Sequence, residues 1–326
     1  MKKYTVLLLL AALLLSLGAC GKQSTVPADT SAAAADAGTS DSEIAGYAFT
    51  DDLGREVIVQ SHDRVAVMIG SFADIWCIAG GHDSIVAAAN DSWTSFDLDL
   101  GENVTNLGAI KTPDTEALLA SEPDLVIAST NTQADVDLLE TFEQAGITAV
   151  YFDVQNFNDY LRVLKACTDI TGCTENYTLY GTDLAAAIEA ACARQDGSSP
   201  SVLCVRATGS SVVIKGSQDY LLGEMLADLG CVNIADSDTS LLENLSLEAI
   251  MTADPDYIFA VLQGSDPTDA QAQLDQALLS NPAWASLTAV QNGRFIILEN
   301  SLYNLKPNAR WGEAYEKLAD ILYPAE

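Results

Sequence analysis

The chain has 326 residues, with 46 Asp and Glu against 15 Lys and Arg, and its formal net charge is −31. Because binding to phosphates needs clustered Lys and Arg, this charge excludes nucleic acid as a general partner. Hydrophobic residues make up 49% of the chain, so it can bury a full core and is not globally disordered. The 2 histidines exclude any site that needs three imidazoles. The length allows two ordinary domains or one large one.

Residues 1–20 are typical of an export signal. Lys2 and Lys3 supply positive charge, and the apolar run Val6–Leu15 is too short to span a bilayer. Small residues then precede Cys20, a pattern that resembles the bacterial lipobox, in which cleavage leaves the cysteine lipidated at the new N-terminus. We therefore predict a lipoprotein that carries a lipid such as palmitate on Cys20. The alternative is an ordinary signal peptide with a chance cysteine.

Residues 21–45 are rich in Ser, Thr, Ala, Asp and Gly and have almost no bulky apolar side chain. Such a segment cannot bury enough surface to offset the entropy that ordering costs. As a flexible coil of about 25 residues it would reach about 25–30 Å. We interpret it as a tether that holds a folded body away from a membrane, which predicts an extracytoplasmic, membrane-anchored protein.

The mature chain keeps six cysteines, none of them in a CxxC motif or at a spacing typical of a zinc module. They are Cys77, Cys167, Cys173, Cys192, Cys204 and Cys231. An exported protein can pair its cysteines, and the best candidate for a local disulfide is Cys167 with Cys173, on either side of a helix break. The alternative, which fits the others better, is small buried thiols.

Beyond the tether, short apolar strands alternate with amphipathic helices, which indicates an α/β body with parallel sheets. We predict a hairpin at Phe49–Gln60, strands at Arg64–Gly70, Ser84–Asn90, Leu125–Thr130 and Ile147–Asp153, helices at Phe72–Ala79 and Asp135–Ala145, and a polar loop around Trp93. Two more helices are predicted at Asn156–Ile170 and Thr174–Gln195. A helix of about 20 residues is about 30 Å long, so the second can connect two lobes as a stiff strut.

One segment is repeated within the chain. Thr115–Ala128 (TEALLASEPDLVIA) aligns without gaps on Leu247–Ala260 (LEAIMTADPDYIFA), so that Glu116 matches Glu248 and the two Pro-Asp pairs coincide. Each copy predicts a helix with Glu in its first turn, a stop at Pro, and a buried strand. Helix, Pro-Asp and strand is a common α/β sequence, but a spacing of about one lobe favours two similarly built halves.

Five segments in this order resemble the substrate-binding lipoproteins of ATP-driven importers for iron–siderophores, haem and cobalamin. They are DDLGREV, RVAVMIGSFADIWCIAGGHDSIVAA, PDTEALLASEPDLVI, NLSLEAIMTADPDYIF, and NPAWASLTAVQNGRFIIL with LKPNARWGEAYEKLADILYP. The resemblance covers nearly all of residues 47–324. It implies two Rossmann-like α/β lobes, at 46–172 and 197–326, bridged by a single long α-helix at 173–196, with the ligand in the cleft between the lobes.

The resemblance also gives the repeated glutamates a role. In this family an acidic residue on each lobe docks onto arginines of the permease dimer, and the matching positions are Glu116 and Glu248. Arginine binds carboxylates bidentately, and a pseudo-symmetric pair of acids suits a two-fold partner. The alternative is that each acid merely complements its helix dipole.

Ligands of open parallel sheets lie at the carboxyl ends of the strands. That rule selects nine candidate ligand-binding residues: Ser71, Phe72, Trp93, Lys111, Asn131, Arg206, Tyr303, Lys306 and Arg310. Arg206 is the best candidate, because a basic residue after the first strand of the second lobe resembles siderophore binders in the family. Trp93 and Tyr303 are predicted either to stack on a ligand ring or to pack in the core. Lys215 is nearby in sequence, on a face that we expect to point away.

We predict a binding protein that captures a metal chelate, with a ferric siderophore ranked first, and delivers it to an ABC permease and its ATPase. The alternatives are cobalamin or haem and, from another class, a surface enzyme or adhesin. No nucleotide-binding or triad motif is present, so we predict no catalytic residue and no enzyme. His62 and His82 look like loop residues, so we predict no protein-bound metal and no covalent cofactor. We expect a monomer.

Overall fold

Residues 46–324 are described by the structure, a computed structural model, apart from residues 219, 239, 244, 265 and 266. The predicted export signal, tether and lipidated Cys20 lie outside the described residues. The strands of the first half are β1 (Tyr47–Thr50), β2 (Glu56–Val59), β3 (Val65–Val67), β4 (Ile85–Ala88), β5 (Thr105–Asn106), β6 (Leu125–Ser129) and β7 (Thr148–Phe152). The antiparallel β1-β2 pair confirms the predicted hairpin. The other five form a parallel sheet in the order β5-β4-β3-β6-β7.

Helices cover this first sheet. They are α1 (Gly70–Ile78), α2 (Asp91–Thr94), α3 (Thr115–Ala120), α4 (Gln133–Val136), α5 (Leu139–Ala145) and α6 (Phe157–Thr171). The loop predicted around Trp93 is wrong, because Ser95 N donates back to Asp91 O at 2.9 Å and closes the short helix α2. The helix predicted at residues 135–145 is divided into α4 and α5.

The predicted connecting helix is helical from Thr174 to Cys192 but not uniform. It consists of α7 (Thr174–Tyr177), a π-helical segment (Thr178–Thr182) and α8 (Asp183–Cys192). Gly181 lies in the wider π turn, where an added Cβ would lie 3.3 Å from side-chain atoms of Leu161 and Tyr177. By its contacts the chain from Ala45 to Glu326 is one compact unit, so the lobe boundaries at residues 172 and 196 stay an interpretation.

The second sheet repeats the parallel design. Its strands are β8 (Ser201–Ala207), β9 (Val212–Lys215), β10 (Val232–Asn233), β11 (Tyr257–Leu262) and β12 (Phe295–Leu298). The order is β10-β8-β11-β12 with every pair parallel, and β9 is antiparallel to β8. Its helices are α9 (Leu221–Asp228), α10 (Ile234–Ser237), α11 (Ser240–Glu243), α12 (Leu247–Ala253), α13 (Pro267–Leu274), α14 (Thr288–Gln291), α15 (Asn300–Tyr303) and α16 (Trp311–Leu322). We call each sheet, together with the helices of its half of the chain, a lobe.

The two copies of the repeat have the same local structure. In each, a side chain before the helix caps it: Asp114 accepts from Ala117 N at 2.9 Å, and Ser246 accepts from Ala249 N at 3.3 Å. The residue before each Pro has a positive φ, which is 49° at Glu122 and 42° at Asp254. Non-glycine residues rarely adopt this conformation. Its recurrence at matching positions supports two similarly built halves.

The aspartate of each Pro-Asp pair fixes the start of the first strand in its lobe's sheet. Asp124 accepts hydrogen bonds from Arg64 N and Asp63 N, both at 3.1 Å, just before β3. Asp256 accepts from Ser201 N at 2.8 Å and from Ser201 Oγ at 2.7 Å, at the first residue of β8. Charge-assisted hydrogen bonds of this kind are the strong ones, so the repeated motif holds the start of β3 beside β6 and the start of β8 beside β11.

One apolar cluster joins the two lobes. It contains Val67 and Phe152 of the first sheet, Cys204 and Phe259 of the second, and Trp311 of α16, all at most 1% exposed. The opposite faces of the sheets form two further clusters. Side chains alternate between the faces of a strand, so each sheet contributes one face to the shared cluster and one face to its own lobe. Among the described residues no helix is long and apolar enough to span a membrane.

The cysteines of the described residues are free thiols. The predicted local disulfide between Cys167 and Cys173 is therefore wrong. Cys167 is buried among apolar side chains, and burial raises its thiol pKa to about 12. The side chain of Cys173 instead faces Gly80, where an added Cβ would lie 2.6 Å from the sulfur. The alternative interpretation, buried thiols, holds for Cys167, Cys204 and Cys231.

Candidate functional site between the lobes

The carboxyl ends of strands from both sheets line a common cavity of about 590 Å³. From the first lobe it receives the end of α2, which follows β4, and from the second lobe it receives the loops after β11 and β12. Its lining residues are Thr94, Ser95, Gln263, Gly264, Glu299, Asn300, Ser301, Asn304 and Leu305. The position is the one that the strand-end rule predicts for a ligand, and hydroxyl and amide groups dominate the lining.

A second cavity of about 320 Å³ adjoins the first and shares Ser95, Ser301 and Leu305 with it. The remaining lining residues come from α1, the loop after α2, the connecting helix and the segment before α16. They are Asp74, Ile78, Phe96, Tyr180, Lys306, Pro307, Ala309 and Arg310. The two cavities together form the gap between the lobes, and two of the predicted ligand-binding residues, Lys306 and Arg310, lie in it.

Arg310 is neutralised within the protein. Its guanidinium donates to Glu313 at 2.6 and 2.8 Å, and Glu299 lies 3.5 Å away. Lys317 joins both acids, at 2.5 Å to Glu299 and 3.0 Å to Glu313. The hydrogen bond from Arg310 is the main cause that lowers the pKa of Glu313 to about 2. Arg310 therefore lines the gap, but its charge is already balanced.

Lys306 is half-buried at the edge of the smaller cavity. Burial lowers the pKa of its ammonium group, and the carboxylates of Asp153 and Glu224 oppose that shift. Lys306 therefore faces acids from both lobes, and its charge is also compensated in part.

Arg206 and Tyr220 carry donors without acceptors. Arg206 lies near the carboxyl end of β8, on the face that Val202 and Cys204 direct into the shared cluster. Its Nε is buried without a hydrogen-bond partner, and so is the hydroxyl of Tyr220, a side chain only 7% exposed. Burial raises the pKa of Tyr220, so this hydroxyl is a donor at neutral pH. Buried donors are normally satisfied, and among the described residues this pair shares the lack of an acceptor with Trp284 Nε1 and Trp311 Nε1. Lys215 of β9 lies beside them, with Nζ 5.7 Å from the Tyr220 ring centroid.

Three predicted ligand-binding residues are packing residues in the structure. Phe72 is 4% exposed and packs edge-to-face against Phe152 at 6.1 Å. Tyr303 is 1% exposed, and its hydroxyl donates to Ala314 O at 3.0 Å. Ser71 is 5% exposed. The strand-end rule places these residues just after strands, but Ser71 and Phe72 lie in α1 and Tyr303 lies in α15, and their side chains are buried in the core.

Lys111 and Asn131 lie together, in another cavity of the first lobe. This cavity of about 590 Å³ follows β5 and β6 and is lined by Ala109–Lys111 and Asn131–Ala134. The Asn131 amide donates to Asp153 at 2.6 Å. Trp93 is half-buried against the shared cluster, which agrees with the packing alternative. Lys215 lines a separate cavity of about 490 Å³ beside α10 and α11.

Glu116 and Glu248 are both exposed and both lie in the first turn of their helices, α3 and α12. The histidines lie outside the gap: His62 packs against Trp76, and His82 contacts Asp83 at 2.9 Å. Within residues 46–324, gaps aside, no group of three or more His, Cys, Asp or Glu could hold a metal ion.

Several residues at or near the gap were not predicted from the sequence. Gln263 and Gly264 directly follow the strand of the second repeat, so the strand-end rule would have found them had it been applied to β11. Asp74 and Tyr180 lie within helices and gave no sequence signal. Tyr220 precedes α9 rather than following a strand, so the strand-end rule did not select it, although it lies close enough to Arg206 for the charge of Arg206 to oppose the rise of its pKa.

The first lobe buries two acids near each other. Asp91 accepts from Gly70 N and Asp135 accepts from Ser129 N, both at 2.9 Å, and the second carboxyl oxygen of each is buried without a partner. Asp135 is fully buried. Burial, with a smaller contribution from Asp91, raises the pKa of Asp135 to about 7.

We expect Asp135 to make folding pH-dependent. Its folded pKa of about 7 lies above the ordinary value of 3.8, so the folded state binds a proton that the unfolded state releases. The contribution of this proton to the free energy of unfolding is complete below pH 3.8 and is lost as the pH rises to about 7. It is on the order of 4 kcal/mol.

Asp135→Asn should therefore raise the free energy of unfolding at pH 8 and change it little at pH 4, as measured by urea unfolding across this range. The matched control is Asp137→Asn, an exposed acid two positions away. Parallel pH profiles for Asp135→Asn and the unchanged protein would contradict the prediction.

The fold and the site can be compared with known proteins. The sequence matches the model of a family described as Periplasmic binding protein over residues 65–302. A search of curated proteins finds no match. Among solved structures, the iron uptake ABC transporter substrate-binding protein PiuA from Streptococcus pneumoniae is similar with a TM-score of 0.67 and 21% identity, covering 86% of this chain and 98% of that one.

Two further structures are similar at this level. The periplasmic heme-binding protein RhuT from Roseiflexus sp. has a TM-score of 0.64 and 20% identity, covering 81% of this chain and 98% of that one. SirA from Staphylococcus aureus, complexed with staphyloferrin B, has a TM-score of 0.63 and 19% identity, covering 85% and 97%. At such identities these neighbours show the fold, two α/β lobes. Since the family match spans most of the described residues, 65–302, the chain belongs to the periplasmic binding protein family.

Proposed function

We propose that the protein is the extracytoplasmic substrate-binding protein of an ABC importer and that it captures a ferric chelate, with a siderophore ranked first. The family supports solute binding rather than catalysis, so we propose no enzymatic activity. The similar structures are named for iron uptake, for heme binding and for a complex with staphyloferrin B. A gap lined by hydroxyl and amide groups between two lobes supports the same function.

The observation that carries the proposal is the pair of unsatisfied donors on Arg206 and Tyr220. A buried donor without an acceptor costs free energy, which a ligand oxygen placed there would recover. Ferric siderophores offer such oxygens on catecholate, hydroxamate or carboxylate groups. Arg206 and Tyr220 are not among the residues that line the two cavities of the gap, whereas the cations that do line them, Lys306 and Arg310, face acids of the protein. We therefore assign ligand recognition first to Arg206, with Tyr220 beside it.

Cobalamin and haem are the alternative ligands. Neither histidine lines the gap, so histidine ligation of haem has no support there, and haem stays ranked below a siderophore.

Glu116 and Glu248 are proposed as the docking residues for the permease dimer. Their support is their exposure and their matching positions in the two copies of the repeat. A lipid on Cys20 would anchor the chain, and residues 21–45 would let the body reach the permease. We propose that the protein acts as a monomer, because the two-fold partner meets one acid from each lobe.

Arg206→Ala should weaken binding of an anionic ferric chelate by about 1.5–3 kcal/mol, since it removes a charge-assisted hydrogen bond. Tyr220→Phe should weaken binding by about 0.5–1.5 kcal/mol without destabilising the fold, because its hydroxyl has no partner to lose. Calorimetric titration with a panel of ferric siderophores measures both effects.

Two controls accompany this titration. Arg294→Ala removes an exposed cation of the second lobe, which lies over Tyr257, and should leave affinity unchanged. Tyr315→Phe loses a hydrogen bond to Asp228 of 2.6 Å and should lower the melting temperature. Full affinity in both Arg206→Ala and Tyr220→Phe would remove this pair from the site.

Charge reversal at both docking residues, Glu116→Lys with Glu248→Lys, should abolish chelate uptake and leave chelate affinity intact, because the acids lie outside the gap. Uptake of radioactive iron by cells that produce the permease measures the first effect, and titration of the purified protein measures the second. Glu102→Lys, an exposed acid of the first lobe, is the control. Normal uptake by the double variant would refute the docking role.

A further inference from the structure

We propose that Asn308 of the second lobe is a positioning residue that fixes the width of the gap by holding helix α1 of the first lobe. The side chain of Asn308 is fully buried. Its amide Nδ2 donates to Ser71 O at 2.9 Å and to Asp74 Oδ2 at 2.8 Å. Both acceptors belong to the first turns of α1, so one amide group joins the two lobes.

The backbone of Asn308 supports this role. Its φ is 46°, a left-handed conformation that costs a non-glycine residue energy. Its Oδ1 is buried without a partner. Strained residues with unsatisfied groups persist where the surroundings hold them and are often part of a function. Here the conformation directs the amide across the lobe boundary.

The residues around Asn308 also cross the boundary. Trp311 packs on Phe157 at 5.5 Å and on Tyr160 at 6.3 Å, both on α6 of the first lobe. Lys306 experiences the charge of Asp153, also of the first lobe. We call residues 306–311 the crossing segment. It gives the lobes a second attachment, independent of the connecting helix.

The connecting helix is a weaker brace than the sequence predicts, because a π segment interrupts it at Thr178–Thr182. Irregular turns of this kind are where helices bend. Asp74, which accepts from Asn308, also lines the smaller cavity of the gap. The crossing segment therefore holds a wall of the gap directly, and its loss would let α1 move relative to the second lobe.

The inference goes beyond the proposed function, since it concerns the positions of the lobes and does not depend on which ligand binds. It is tested on the purified protein without ligand, at pH 8. Burial raises the pKa of Asp74, and a high pH keeps this carboxyl ionised. The measurement is hydrogen exchange of the α1 amides by mass spectrometry, with the radius of gyration from small-angle X-ray scattering.

Asn308→Asp replaces the donor with a carboxylate that faces Asp74. We expect exchange in α1 to become faster by roughly 10-fold or more, as the loss of a charge-assisted hydrogen bond implies, and the radius of gyration to rise. Asp74→Asn alone keeps an acceptor for Asn308, so exchange of its α1 amides should stay near the rate of the unchanged protein.

The decisive variant combines the two changes, Asn308→Asp with Asp74→Asn. It reverses donor and acceptor, because the new amide at position 74 can donate to the new carboxylate, so exchange in α1 should slow towards the original rate. A role of Asn308 that does not act through its contact with Asp74 predicts no such rescue. Asn308→Gly, which suits the positive φ but lacks the amide, should exchange as fast as Asn308→Asp.

The inference would be overturned if the α1 amides of Asn308→Asp and Asn308→Gly exchanged as slowly as those of the unchanged protein. It would also be overturned if the α1 amides of the double variant exchanged as fast as those of Asn308→Asp. Urea unfolding of each variant keeps these outcomes interpretable, because general destabilisation would speed exchange in β8 and β11 as well as in α1. None of these outcomes bears on the proposed ligand or on docking to the permease. Those proposals are tested by the binding and uptake experiments.

Discussion

The shared apolar cluster is the constraint on which the rest of the molecule depends. It contains side chains from one face of each sheet and Trp311 of α16. A rotation of either lobe away from the other would therefore expose buried aromatic and aliphatic surface. Because the strands of both sheets are parallel apart from β9, their carboxyl ends lie at one edge of each sheet. Packing them on one cluster directs several of those edges at a single gap, and the polar cavity forms there.

Although the whole chain is strongly acidic, the carboxylates next to each cation of the gap determine whether its charge is balanced. Most cations near the gap are held by the protein's own carboxylates, as in the network of Arg310, Glu299, Glu313 and Lys317. Such a network leaves little positive charge for a ligand. The proposed ligand contacts, Arg206 and Tyr220, differ from these cations because each keeps a buried donor without an acceptor.

The strands, the hairpin and the repeat could be predicted because alternation, Pro-Asp pairs and helix caps act over a few residues. The matching roles of Asp124 and Asp256 follow from that local pattern. The site was predicted only in part. Whether Tyr303 faces the gap or the core depends on how one short helix packs, and the neighbourhood of Arg206 depends on the pairing of β8 with β9. Such long-range contacts leave no periodic signal in the sequence.

We propose that a ferric chelate binds in the gap between the two lobes. The most direct measurement is anomalous X-ray scattering at the iron edge from crystals grown with a ferric siderophore that binds in titration. The account predicts one iron peak between the carboxyl ends of the two sheets, with the chelate in contact with Arg206 and Tyr220. An iron peak on the outer face of either lobe would contradict it.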